Sequence, residues 1–145
     1  MPPITKNQLI NIINKAGDKS KNQGILRTGN RKQNALNYVD KILEIQDKYK
    51  VHALFTLAVA VQESGVGTAG CAKYNNWFSI MSNGKCVKYN DVSTNIEKFG
   101  NLIANGSYYF KNGKTTPAKI GPTYCCSGWA DSVTSHMNSL LKWIK

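Results

Sequence analysis

The feature that most constrains the fold is a predicted helix over residues 51–62, whose apolar side chains occupy every side rather than one face. A helix that is apolar all round is stable only where other elements cover it completely. A chain of 145 residues is long enough to bury such a core without a metal, and no shift in composition divides it. We therefore expect a single domain over residues 1–145, with this helix at its centre.

Shorter patterns predict the elements that cover the central helix. Thr5 and Gln8 form a Thr-x-x-Gln capping box, which predicts a first helix from about Lys6 to Ala16. A polar stretch over 111–117 indicates a turn. Apolar residues at three-and-four spacing predict three further amphipathic helices, over residues 36–49, 94–104 and 128–144.

One segment has the pattern of a β-hairpin. Asn83-Gly84, the strongest two-residue hairpin signal, lies between the short runs 79–81 and 86–89. No other strand pair is convincing. The predicted fold class is therefore α+β and mainly α, a helical domain with a small β-hairpin lobe.

Glu63 is the one acidic residue between Lys48 and Asn90, and it follows the apolar helix directly. Burial and the negative end of the helix dipole both disfavour an ionised carboxylate, so we expect a raised pKa. A carboxyl that keeps its proton near neutral pH can act as a general acid toward a leaving group. The alternative is a helix-end glutamate with its carboxylate in water. The loop that follows, with Asn75-Asn76-Trp77-Phe78, favours the acid.

The charge of the chain indicates an anionic partner. Nineteen basic and 8 acidic residues give a formal net charge of +11. The basic residues form no long block and no basic amphipathic helix, so we expect diffuse attraction to anionic polymers rather than a nucleic-acid site. No stretch approaches the length of a membrane span, and the N-terminus has no apolar leader segment. We expect no membrane insertion.

The cysteines indicate disulfides rather than a metal site. No Cys-x-x-Cys pair occurs, and His52 and His136 are far from the cysteines in sequence, which argues against zinc. An even number of cysteines favours an oxidising, extracellular or cell-wall location. Adjacent cysteines rarely bond to each other without backbone strain, so we expect the first two cysteines each to reach one of the last two. Reduced, buried thiols are the alternative. The four residues are Cys71, Cys86, Cys125 and Cys126.

The central segment resembles a known enzyme family. An apolar helix ending in Glu-Ser-Gly, a Gly-Thr-x-x-x-Ala step and an Asn-Asn-aromatic-Phe-x-Ile run are similar to the peptidoglycan N-acetylglucosaminidases of the mannosyl-glycoprotein endo-β-N-acetylglucosaminidase type. The likeness covers residues 51–141, whereas residues 1–50, the N-terminal helices, carry no family signal. The matching residues are the run 58–68 with Ala72, Asn75, Asn76, Trp77, Phe78 and Ile80, then Asn95-Ile96, Ile120, Tyr124, Trp129, Ala130 and Val133.

The resemblance implies a lysozyme-like fold in which Glu63 protonates a glycosidic oxygen of a glycan strand. It also implies that Ser64 orients the sugar and that Tyr124 lines the groove. The assignment of Ser64 has a structural alternative. The Ser64 hydroxyl would instead bond a local carbonyl, and Trp129 is expected in the core.

The residues of the Asn75–Phe78 run have two interpretations, one substrate-binding and one structural. Asn75 and Asn76 either hold the sugar's polar groups or shape the turn by adopting a left-handed conformation. Trp77 and Phe78 are substrate-binding candidates by position, although adjacent aromatics more often belong to the core than to a sugar platform.

The chain departs from the family pattern in its second carboxylate. Relatives that use two carboxylates place the second in the β-lobe, but residues 79–90 contain no acidic side chain. Asp91 and Glu97 are the nearest candidates, and each is equally well explained as a helix-start or surface charge. Without a second carboxylate, the substrate's acetamido oxygen or the muramic acid 6-hydroxyl would attack the anomeric carbon.

The expected function is hydrolysis of peptidoglycan glycan strands by a monomer that needs no cofactor. Lytic transglycosylation, which gives a 1,6-anhydro product, or muramidase activity on the same fold is the second hypothesis. A non-catalytic cell-wall binding module is the third, and a DNA-binding helical domain is the last. The expected partners are peptidoglycan and anionic cell-wall polymers.

Overall fold

The computed structural model describes residues 1–20 and 24–144. In this part of the chain no helix combines the length and the apolar character needed to cross a membrane. Two short 3₁₀-helices, Gly70–Tyr74 and Phe110–Asn112, accompany the regular elements. The α-helices and strands are α1 (Lys6–Ala16), α2 (Arg31–Asn37), α3 (Val39–Tyr49), α4 (Ala53–Ser64), β1 (Met81–Ser82), β2 (Lys85–Cys86), α5 (Val92–Asn105), α6 (Pro117–Tyr124) and α7 (Trp129–Leu141).

Helix α4 lies at the centre of the domain, as its sequence predicts. Every residue from Ala53 to Val61 is buried, and both α7 and α3 pack against the helix. A ring nitrogen of His52 caps its start by accepting from the Leu54 N–H, and Gly65 ends it with a left-handed φ of 55°. One hydrophobic core includes side chains from all seven described helices. The predicted fold class, α+β and mainly α, is confirmed.

The predicted first helix is confirmed at both ends. It begins after Thr5, whose hydroxyl accepts from the Gln8 N–H at 3.1 Å, while the Gln8 side chain accepts from the Thr5 N–H at 2.9 Å. Its apolar face contributes four buried side chains to the core. They are Leu9, Ile12, Ile13 and Ala16.

The single helix predicted over 36–49 is instead two helices, α2 and α3, separated at Tyr38. Tyr38 has a φ of −121°, and neither flank carries the glycine or proline that usually marks such a break. Its ring meets Trp77 edge-on, with 5.1 Å between the ring centres. This contact joins residues 39 positions apart, so periodicity along the chain does not reveal it.

Helix α6 was not predicted, because residues before Ile120 were interpreted only as a turn. The Thr116 hydroxyl accepts from the Lys119 N–H and Pro117 occupies the first turn, which together start the helix. Pro122 lies inside this short helix and disturbs the pattern that would have indicated it.

The predicted hairpin is present but shorter than expected. Strands β1 and β2 have two residues each and pair in antiparallel register, with Met81 opposite Cys86. Asn83 and Gly84 form the turn with φ values of 53° and 74°, which confirms the two-residue turn with positive φ at both positions. We call residues 75–89 the β-lobe.

Candidate active site

Glu63 occupies the last turn of α4, at the edge of the core. Its side chain is half-buried, neither enclosed in the core nor fully in water. Burial raises the pKa of the Glu63 carboxyl above its ordinary value, and hydrogen bonds from Trp129 and Ser79 only partly oppose this effect. The direction of the shift agrees with the sequence prediction. A half-buried carboxyl with a raised pKa can hold a proton and still reach a bound molecule.

Trp129 is the main hydrogen-bond partner of this carboxyl. The indole N–H donates to Glu63 Oε1 at 3.1 Å, while the ring itself is 2% exposed. The core position expected for Trp129 is therefore confirmed. The sequence did not indicate that its N–H would orient the acid, because the two residues are 66 positions apart.

Tyr124, which was predicted to line the groove, lies beside Trp129, and its hydroxyl is engaged in a hydrogen bond. Its ring stacks on Trp129 with 4.9 Å between centres, and its hydroxyl donates to the Phe78 carbonyl oxygen at 2.6 Å. Burial, followed by the nearby charge of Glu63, raises the pKa of Tyr124 well above its usual range. Tyr124 is thus a neutral hydroxyl that connects α6 to the β-lobe, which makes it a positioning residue.

Ser64 has the local role that was left open as an alternative. Its side chain is 2% exposed, its hydroxyl lies 2.9 Å from the Trp77 carbonyl oxygen, and it accepts from the Gly67 N–H at 2.9 Å. A hydroxyl enclosed in this way is not placed to contact a sugar directly. Ser64 and Tyr124 instead hold two consecutive carbonyls of the β-lobe loop next to Glu63.

The two asparagines also form the loop from within. Asn75 adopts the left-handed conformation with a φ of 57° and donates to the Tyr89 carbonyl at 3.0 Å. Asn76 is fully buried, where it donates to the carbonyls of Ile80 and Val87. These bonds fit the turn-shaping alternative, and Asn75 retains partial exposure.

The aromatic residues of the loop belong to the core. Trp77 is 4% exposed and Phe78 is fully buried, stacked on Phe99 with 4.0 Å between ring centres. A side chain on Gly67 would collide with the Trp77 indole, since an added Cβ would lie 2.3 Å from Nε1. Burial of this kind favours the core alternative over a sugar platform for both rings.

The candidate second carboxylates are occupied elsewhere. Asp91 is the N-cap of α5 and accepts from the Thr94 N–H at 2.7 Å, which lowers the pKa of Asp91. Glu97 bonds to Tyr49, Lys48 and Lys41, and these donors lower its pKa to about 2. Asp91 thus has the helix-start role given as its alternative, and Glu97 pairs with lysines. Among residues 1–20 and 24–144, neither carboxylate is hydrogen-bonded to Glu63 or Trp129.

The cysteine pairing differs from the prediction. Cys71 bonds to Cys86, and Cys125 bonds to its neighbour Cys126, so no disulfide joins the two halves of the set. Strand β2 lies against the 3₁₀-helix Gly70–Tyr74, which places the Cα atoms of Cys71 and Cys86 5.7 Å apart. The first pair therefore ties the hairpin to the segment after α4. The second lies in the exposed link between α6 and α7, directly after Tyr124.

Three residues at the site carried no signal in the sequence analysis. Ser79 has a positive φ of 52°, and its hydroxyl lies 3.4 Å from the Glu63 carbonyl oxygen. Tyr89 and Tyr109 are close enough to Tyr124 to affect its pKa through their charges. Only the left-handed backbone of Ser79 would have marked it, and that conformation is rare for serine and is not readable from sequence.

Among residues 1–20 and 24–144, no group of three or more histidine, cysteine, aspartate or glutamate side chains is arranged to hold a metal ion. The side chains around Glu63 offer a small set of functional groups. Those groups are one carboxyl with a raised pKa, one indole donor, and two hydroxyls on the adjoining loop and helix.

Comparison of the chain with protein-family models, with curated proteins and with solved structures found no match. The resemblance drawn from the sequence motifs thus remains a prediction.

Proposed function

We propose that the protein cleaves the glycan strands of bacterial peptidoglycan, with Glu63 as the general acid. The observation that carries the proposal is the half-buried Glu63 carboxyl, whose pKa burial raises and whose orientation the Trp129 N–H fixes. Glu63 lies where α4, the β-lobe loop and the α6–α7 corner meet. The motif resemblance, which places the catalytic acid at this residue, supports the same assignment.

The first chemical step would transfer the Glu63 proton to the glycosidic oxygen as the bond from that oxygen to the anomeric carbon breaks. A nucleophile must add to the anomeric carbon in the same step or immediately after it. Asp91 and Glu97 are engaged in a helix cap and an ion cluster, so we assign the nucleophile to the substrate.

In the preferred mechanism, the acetamido oxygen of N-acetylglucosamine attacks the anomeric carbon and forms a cyclic oxazolinium intermediate. Water then adds to this carbon and gives its proton to the Glu63 carboxylate, which restores the acid. The net reaction is hydrolysis, with a reducing N-acetylglucosamine end. The raised pKa suits both steps, because the same group first donates a proton and then accepts one.

The second candidate is lytic transglycosylation, which the unavailable second carboxylate also favours. The 6-hydroxyl of muramic acid would attack the anomeric carbon, and Glu63 would remove its proton after protonating the leaving oxygen. The product would be a 1,6-anhydro sugar, formed without water.

The net charge and the disulfides agree with an enzyme that acts at the cell wall. A net charge of +11 would concentrate the protein on polymers that carry phosphate or carboxylate groups, and added salt would weaken this attraction. The two disulfides are compatible with an extracellular location.

The deciding experiment is mass spectrometry of purified peptidoglycan after digestion by the wild-type protein, Glu63→Gln and the matched control Glu97→Gln. We expect reducing N-acetylglucosamine ends with the wild type and the control, and none with Glu63→Gln. Anhydro ends would select transglycosylation, and reducing muramic acid ends would select a muramidase. Binding to sedimented walls without any cleaved product would overturn the proposal in favour of a binding module.

A further inference from the structure

A cavity of about 290 Å³ lies between the β-lobe and α5. Ile80 and Tyr89 form its β-lobe side, and Lys98 and Asn101 belong to the α5 side. It is separate from the larger cavity of about 480 Å³ at the α6–α7 link. The remaining lining residues are Leu102, Asn105 and Gly106.

The polar groups that line this cavity include a cation but no carboxylate. They belong to Lys98, Asn101 and Asn105, whereas the Tyr89 hydroxyl is hydrogen-bonded to Asn95. The Asn105 amide donates to the Asn101 side-chain oxygen at 2.9 Å, which leaves the Asn101 NH₂ group facing no described partner. A lining of donors around one positive charge suits an oxygen-rich anion, above all a carboxylate.

Lys98 differs from the lysines on the other side of α5. Lys41 and Lys48 both bond to Glu97, at 3.0 Å and 2.9 Å. Lys98 follows Glu97 directly but points about 100° away around the helix, and it has no ion pair within residues 1–20 and 24–144. Its charge is therefore available to a ligand in the cavity.

The cavity reaches the part of the β-lobe that contacts Glu63. Ile80 in the cavity wall directly follows Ser79, whose hydroxyl lies 3.4 Å from the Glu63 carbonyl oxygen. The Ser79–Ile80 segment therefore connects the cavity wall to the residue proposed as the acid.

We propose that this cavity binds a carboxylate carried by a substituent of the glycan, with Lys98 as the residue that selects for it. The inference rests on the proposed function and deepens it, since it identifies the substrate class as an anionic rather than a neutral glycan. The position of cleavage along the glycan strand would then depend partly on a charged substituent that is distant from the cleaved bond.

The test compares native peptidoglycan with peptidoglycan whose carboxylates have been amidated. Lys98→Gln should raise KM for native peptidoglycan about tenfold, the loss expected for one hydrogen bond to a charged group, and leave KM for the amidated polymer unchanged. Lys98→Arg should restore most of the affinity, because it keeps the charge. The matched control is Lys19→Gln, which removes the same charge from an exposed residue on another part of the surface.

A second readout separates this inference from the proposed function. Binding of N-acetylmuramoyl dipeptide and of chitotriose to the uncleaving Glu63→Gln protein would be followed by calorimetry. We expect Lys98→Gln in the Glu63→Gln background to weaken binding of the dipeptide about tenfold and binding of chitotriose by less than twofold. Equal weakening of both ligands, or of neither, would overturn the inference even where peptidoglycan is cleaved. Lys98-dependent dipeptide binding without cleavage of any wall would overturn the proposed function alone.

Discussion

The surroundings of Glu63 and Glu97 differ in nearly every respect, although both residues lie on helices that cover the same core. Glu97 bonds to Tyr49 and to two lysines, and its pKa falls to about 2. Glu63 bonds through its carboxyl only to neutral donors, Trp129 and Ser79, and burial raises its pKa. The comparison shows that the number and charge of the donors, rather than burial alone, decide whether a carboxyl is a structural anion or a candidate acid.

The comparison predicts that the same isosteric change affects the cleavage rate at one site and not at the other. Glu63→Gln should lower the rate of peptidoglycan cleavage by at least about 100-fold, because it removes the proton donor. Glu97→Gln should leave the rate unchanged, since its carboxylate serves only the contact between α3 and α5. Release of soluble fragments from purified walls measures both. A Glu63→Gln protein that still clears walls would abolish the distinction.

Trp129→Phe should raise the pKa of Glu63, which widens its difference from the pKa of Glu97. Loss of the indole donor removes a bond that favours the charged carboxylate, so the Glu63 pKa rises and the alkaline limb of the cleavage-against-pH profile moves to higher pH. We expect cleavage at the optimum to fall about fivefold, the effect of one neutral hydrogen bond.

A packing control is needed, because Trp129 is buried. Phe55→Leu perturbs the same cluster, since the Phe55 ring meets Trp129 with 6.4 Å between centres, but it removes no hydrogen-bond donor. Phe55→Leu should lower the free energy of unfolding without moving the alkaline limb of the cleavage-against-pH profile. The same shift in both variants would attribute the effect to packing.

Glu97→Gln should lower the free energy of unfolding at neutral pH by roughly 1 kcal/mol, as expected for a partly exposed ion cluster. The folded-state pKa lies below the unfolded value, so this stabilisation is complete above the unfolded pKa of about 4.3 and is lost as pH falls toward about 2. Urea unfolding at pH 7 and near pH 2 measures the difference. Glu44→Gln, which removes one exposed partner of Lys41, should cost less than about 0.5 kcal/mol.

The smallest expected effect is on the stability of Glu63→Gln. A raised folded-state pKa means that ionised Glu63 destabilises the fold, so wild-type stability falls relative to the variant as pH rises from the unfolded pKa through the folded one. The variant should be no less stable than the wild type, with an advantage under about 1 kcal/mol that is absent below pH 4. A variant that is less stable at pH 7 would mean that the carboxylate is favourably held.

Local signals predicted much of the fold. The Thr5–Gln8 capping box located α1, and the Asn83-Gly84 pair located the hairpin turn. The all-round apolar pattern identified α4 as the central helix, because burial on every side leaves no polar face. These features depend on residues close together in sequence, which is why they were readable.

The remaining features arise from contacts between distant segments. The break at Tyr38 accompanies an aromatic contact with Trp77, and the pairing of Cys71 with Cys86 follows from where the hairpin packs. At the site, the position of Glu63 was predictable from its apolar helix. The Trp129 N–H and the left-handed Ser79 were not, because one needs the packing of α7 on α4 and the other a strained loop.

The assignment of Glu63 as the catalytic acid is tested most directly by a carbon-13 NMR titration of the glutamate carboxyls in the folded protein. Glu97 serves as the internal reference and should titrate at about 2. We expect Glu63 in the folded protein to titrate above the ordinary glutamate value of about 4.3, and at about that value only after unfolding. A Glu63 carboxyl that titrates at or below that value would contradict its assignment as the acid.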